Sequence, residues 1–149
     1  MRSKDTRRER RRKATVTVAT SRNDPLYPAV SAILSKGNVV TPIDVLLNMK
    51  LLAPGRLDDW RRGREPYLER VIELNLTRLS RLLRILRFHA HDLNLVPSVS
   101  VYLRSGKGAR QRLRFTKSGD PKLEEAYARH FAWPGNGPFH PPAPKETRE

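Results

Sequence analysis

Residues 66–95 read PYLERVIELNLTRLSRLLRILRFHAHDLNL. Within them Ile72, Leu76, Leu79, Leu83, Leu86, Ala90 and Leu93 are spaced alternately by four and three, the a/d repeat of a helix with one sustained apolar seam. Pro66 suits a first helical turn, so the spacing predicts one long helix over 66–95. At 100° per residue Arg70, Arg78, Arg81 and Arg84 fall on the opposite side, shared with Leu74, Ile85 and Phe88. A helix apolar over more than half its circumference is either the centre of its domain or a seam for a second copy of the chain. The first alternative organises the remaining elements around it.

Upstream, three shorter helices are predicted. Asp24-Pro25 offers a cap followed by a helix-opening proline, and Leu26, Val30, Ile33 and Leu34 supply an inward face before Gly37. Thr41-Pro42 repeats the signal, with Asp44 in the first turn and Ile43, Leu46 and Leu47 turned inward. Pro54-Gly55 breaks that helix, and a third runs over 56–62 with Leu57 and Trp60 on one side. Thr15 to Thr20 is short and β-branched, as a strand requires.

Downstream of Pro97 the pattern changes to period two. Val99, Val101 and Leu103 alternate with Ser100, Tyr102 and Arg104, and Leu113 and Phe115 alternate with Arg110, Arg112 and Arg114. Joined by Ser105-Gly106-Lys107-Gly108-Ala109, they predict a β-hairpin. Its expected inner face is Val99, Val101, Leu103, Leu113 and Phe115. Its outer face is Tyr102, Arg104, Arg110, Arg112 and Arg114, with Lys107 at the tip. Asp120-Pro121 then opens a last helix carrying Leu123, Ala126, Tyr127, His130 and Phe131. The fold class expected is a mostly helical α+β domain over 14–133, between a disordered basic arm (1–13) and a disordered Pro/Gly-rich tail (134–149).

Charge points to a partner. The chain of 149 residues has a formal net charge of +15, from thirty Lys and Arg against fifteen Asp and Glu. The arm holds eight basic residues against two acidic, the body twenty against eleven, and the tail balances. A basic arm before a basic folded body is the electrostatic footprint of a polyanion binder. Four arginines on one side of a hairpin repel one another unless an anion lies across them. Guanidinium groups bind phosphate in bidentate fashion, and Tyr102 is expected to stack on a base or ribose.

The segment from Ile43 to Gly63 resembles the helix-turn-helix pattern whose short recognition helix ends in Trp-Arg-Arg before a glycine, here Trp60-Arg61-Arg62-Gly63. Three helices followed by a hairpin are also similar to a winged helix with an Arg-rich wing. The resemblance implies phosphate or groove contacts from Arg61, Arg62 and Arg64. Pro54 in the turn and Asp58-Asp59 in the recognition helix depart from the pattern.

Chemistry is harder to find. The absence of Cys excludes disulfides, thiolate metal sites and a cysteine nucleophile, and suits a cytoplasmic chain. No apolar run approaches the ~20 residues of a membrane span, and no apolar stretch follows the N-terminal charges to make a signal peptide. Ser105-Gly106-Lys107-Gly108 lacks the strand-loop-helix context of a nucleotide-binding P-loop. His89-Ala90-His91-Asp92 resembles the H-x-H-x-D run of metallohydrolases, but residues two apart on a helix diverge by 200° and cannot share a metal. Glu65, Glu69 and Glu73 read as ion-pairing residues. No catalytic constellation, metal site or cofactor site is expected.

The function expected is electrostatic nucleic-acid binding, DNA or RNA, without catalysis. An acidic protein partner, or dimerisation through the long helix, is the alternative. A small nuclease comes third.

Overall fold

The computed structural model describes residues 24–135, 137 and 139. The arm (1–13), the strand expected over 15–20 and most of the tail lie outside the described residues. The fold is α+β, with five α-helices and one three-stranded antiparallel sheet among the described residues.

The first two helices start where their sequence signals place them, and the third starts two residues earlier than expected. α1 (Leu26–Lys36) follows Asp24-Pro25, and Asp24 Oδ1 accepts from the Leu26 N–H at 2.9 Å. After the short strand β1 (Val39–Val40), α2 (Pro42–Asn48) is capped by Thr41, whose Oγ1 accepts from the Asp44 N–H at 3.0 Å. α3 (Pro54–Arg61) begins at the proline read as a break, because proline loses nothing at a first turn, where its missing N–H would have no partner. Leu57 and Trp60 are its buried face.

The single long helix expected over 66–95 is not formed. A 3-10 turn (Leu68–Val71) and an extended link precede α4 (Leu76–Asp92), which starts at Asn75, whose side chain accepts from the Arg78 N–H at 2.8 Å. The cause is competition for backbone donors. The N–H groups of Leu68 and Glu69 go to the Arg114 and Phe115 carbonyls, and that of Glu73 to Leu51. Leu76, an a/d position of the repeat, is 56% exposed. Leu79, Leu83, Leu86 and Ala90 are buried in the chain's own core, so this part of the seam is already occupied.

The last helix also ends early. α5 (Pro121–Ala128) gives way to β3 (Arg129–Ala132), although the helical period runs on to Phe131. β3 lies between β1 and β2 (Val96–Val99), pairing Val40 with Phe131 and Val99 with Arg129. Two ladders use both edges of the 129–132 backbone, whereas a helix end would leave its last carbonyls unpaired.

The hairpin reading needs the largest correction. Beyond β2 the two arms share a single bridge, Leu103 to Arg112. The first arm is inverted, with Val99, Val101 and Leu103 outward (Val101 is 59% exposed) and Tyr102 packed against the core. On the return arm Leu113 and Phe115 are buried as expected. The sheet is therefore not the wing expected from 99–115, since β1 and β3 come from elsewhere in the chain. An aromatic cluster draws Tyr102 in. Its ring centroid lies 5.8 Å from that of Trp60 and 5.2 Å from that of Phe115, and Phe115 stacks on Tyr127 at 5.4 Å.

Candidate nucleic-acid interface

The basic residues singled out in the sequence fall into three groups. The first holds its own fold together. Arg114 is outward but tied down, donating from Nε to the Thr116 carbonyl at 2.8 Å and from its terminal nitrogen to that of Lys117 at 2.5 Å. Arg104, expected outward, lies over Gly63 and donates to the Lys107 carbonyl at 3.2 Å. A β-carbon at Gly63 would come within 3.0 Å of the Arg104 side chain, and the backbone there has φ +78°, so glycine answers both demands. Tyr102 belongs with this group. Its hydroxyl shares a 2.6 Å hydrogen bond with His130 Nε2, and His130 Nδ1 lies 3.1 Å from Ser100 Oγ. Burial pushes the Tyr102 hydroxyl pKa up, reinforced by the Asp44 carboxylate, and pushes that of His130 down. A ring committed to Trp60, Phe115 and His130 is not a stacking platform for a base.

The second group is neutralised locally. Arg62 pairs with Asp58 at 2.9 Å, Arg64 with Asp59 at 3.3 Å, Arg56 with Asp59 and Glu65, and Arg70 with Glu65. The Asp58-Asp59 pair that departs from a recognition helix thus engages Arg56, Arg62 and Arg64 and leaves Arg61 aside. Arg61 is exposed and without an ion pair among the described residues, while its carbonyl accepts from the Ser105 N–H at 2.8 Å and anchors the hairpin tip.

The third group has no counter-charge among the described residues. Lys107, Arg110 and Arg112 are exposed at and beside the tip, where Gly106 and Gly108 take positive φ (105° and 103°) to make the turn. Along α4, Arg78, Arg81, Arg84 and Arg87 are all exposed. Among the described residues no ion pair reaches any of these seven side chains. In the sequence Arg78, Arg81 and Arg84 read only as the back of a core helix, and Arg87 is not among them. The signal that identifies the four is an absence of carboxylates, since none lies between Glu73 and Asp92 and an i, i+4 partner is impossible.

The carboxylates of the corner formed by α3, the hairpin and α5 are committed elsewhere. Glu124 accepts from the Phe115 and Thr116 N–H groups and from Thr116 Oγ1, the last at 2.5 Å. Glu69 accepts from the Tyr127 hydroxyl at 2.9 Å and the Lys117 N–H at 3.1 Å. Burial, and then the charge of Glu69, raise the Tyr127 hydroxyl pKa far above its ordinary value. His89 and His91 both lie on α4, where His89 stacks on Tyr27 at 4.1 Å and His91 is exposed. Among the described residues no cluster of three or more His, Asp or Glu side chains could hold a metal ion. No helix among them is long and apolar enough to cross a membrane.

Compared with known protein families, curated proteins and solved structures, the chain matches none.

Proposed function

We propose that this chain is a nucleic-acid-binding protein of the cytoplasm that acts by phosphate contacts and performs no chemistry of its own. The observation that carries the reading is that Arg78, Arg81 and Arg84, on the solvent side of α4, and Arg87 further round the helix are all exposed and without an ion pair among the described residues. Lys107, Arg110 and Arg112 at the hairpin tip, with neighbouring Arg61, give a second set of contacts, and the basic arm adds a third. Side chains held by intramolecular carboxylates exchange one partner for another when they meet phosphate. Unpaired ones gain the whole interaction and release condensed counterions from the nucleic acid.

The test is fluorescence anisotropy with labelled mixed-sequence DNA and RNA, single and double stranded, across a salt series. The expected Kd at low salt is about 10⁻⁶ M or tighter, weakening log-linearly with a slope that reports about four to eight phosphates. No binding at about 50 mM salt, or a slope near zero, overturns the proposal.

A further inference from the structure

Leu123 was expected to face the core from the last helix, and it does so only in part. It is half-buried, and with Ala126 it lines a trough between α4 and α5 of about 690 Å³. Leu83 and Leu86 of α4 and Phe131 of β3 complete an apolar floor. Phe88, 43% exposed, stands on the lip. The trough continues past Arg87, Arg129 and Phe131 into a second hollow of about 420 Å³ that reaches Leu95 and the β2 backbone.

The rim is basic. Arg84, Arg87, Lys122 and Arg129 border the larger hollow against the single carboxylate of Glu125, which is engaged by Arg129 at 2.5 Å. A partly exposed apolar strip of Leu123, Ala126 and Phe88, framed by basic side chains, is the surface of a docking site.

We propose that this trough docks an acidic, apolar-faced segment of another protein. Its carboxylates meet Arg84, Arg87 and Lys122, while its apolar side chains cover Leu123, Ala126 and Phe88. Charge disfavours two other occupants, and the floor a third. The chain's own arm and a second copy of the chain, at net +15, are repelled by the rim. Nucleic acid would meet a largely aliphatic floor that offers base edges no hydrogen-bond partner. The site goes beyond phosphate binding: it shares Arg84 and Arg87 with the phosphate contacts and adds Lys122, Leu123 and Ala126, which phosphate contact does not use.

Three synthetic labelled peptides test it with the full chain: an amphipathic Glu/Leu helix, the same peptide with every Leu replaced by Ser, and a Lys/Leu counterpart. The Glu/Leu peptide is expected to bind, and the other two to bind at least about tenfold more weakly, since each lacks one of the two contributions. Leu123→Ser and Lys122→Glu are each expected to weaken the Glu/Leu complex about tenfold. Lys122 is exposed, so its variant retains the fold whatever happens at Leu123. Leu123→Ser is expected to leave oligonucleotide affinity unchanged, which separates this site from the phosphate-binding row. Equal binding of the Glu/Ser or the Lys/Leu peptide overturns the proposal, as does Glu/Leu binding indifferent to both substitutions or absent altogether. Self-association abolished by Leu123→Ser would assign the trough to a second copy, and Leu123-dependent binding to anionic vesicles would assign it to a membrane surface. Either result also overturns it.

Discussion

Arg56 lies in α3 and Arg62, Arg64 and Arg70 follow it, while Arg78, Arg81, Arg84 and Arg87 lie along α4. Each of the first four sits 2.9–3.7 Å from a carboxylate, and none of the second four does among the described residues. The two sets contribute equally to composition and unequally to the field outside the molecule. What separates them is the neighbouring sequence. Asp58, Asp59 and Glu65 are interleaved with the first set, whereas α4 carries no carboxylate before Asp92. Net charge states how much positive charge a chain has, and only local pairing states where a polyanion can reach it.

The most demanding test of that difference is charge reversal. Arg78→Glu, Arg81→Glu and Arg84→Glu combined are expected to weaken oligonucleotide binding about a hundredfold or more at low salt and to lower the salt slope by about three. Reversal of Arg62 and Arg64 is expected to change affinity less than about threefold. Equal losses from both sets would erase the distinction.

Next in size is the contrast in stability. Glu124→Ala removes the acceptor that holds the Phe115 and Thr116 backbone, and is expected to lower unfolding free energy by about 2–3 kcal/mol in urea titrations. Arg81→Ala, on the solvated side of α4, is expected to cost less than ~0.5 kcal/mol. A large loss at Arg81 would mean that the row is covered in solution.

Acidification sharpens the contrast from another direction. His130 and His89 have folded-state pKa values held below the ordinary 6.5, in both cases mainly by burial. Below 6.5 the unfolded chain then binds more protons than the folded one, so stability is full at neutral pH and falls as pH drops through that value. The thermal midpoint is expected to decline between about pH 7.5 and pH 5.5, and His130→Gln is expected to flatten the decline. A midpoint that rises on acidification would contradict the burial of both rings.

The smallest effect belongs to the surface pairs. Asp58→Asn is expected to cost about 0.2–1 kcal/mol, because Arg62 and Asp58 are both more than half exposed. It is also expected to strengthen oligonucleotide binding slightly, by releasing Arg62.

Elements with local signals were legible in the sequence. Asp24-Pro25, Thr41-Pro42 and Asp120-Pro121 each precede an observed helix, and Leu57 and Trp60 are buried as their spacing implies. The failures have long-range causes. The 66–95 helix broke because Leu68, Glu69 and Glu73 donate to distant carbonyls, although Asn75 offered an unused cap signal. The first hairpin arm turned over because Tyr102 is drawn to His130 and Phe115, contacts that period-two alternation cannot register. Of the candidate interface, Lys107, Arg110 and Arg112 remained exposed, while Tyr102, Arg104 and Arg114 are engaged within the fold. Residue type gave the chemistry of those side chains, and partner availability depended on the folded neighbourhood.

The order β1-β3-β2 has a consequence for synthesis. The central strand is translated after both of its neighbours, so a growing chain carries Val39-Val40 and Val96–Val99 with bare edges until residues 129–132 leave the ribosome. Neither flanking strand can shelter the other, because they meet only through the one still to come. Unpaired strand edges on an emerging chain are templates for association with neighbouring chains on the same messenger. The last strand to appear therefore acts as a keystone, and a chaperone that covers Val96–Val99 during that interval would raise the yield of folded protein.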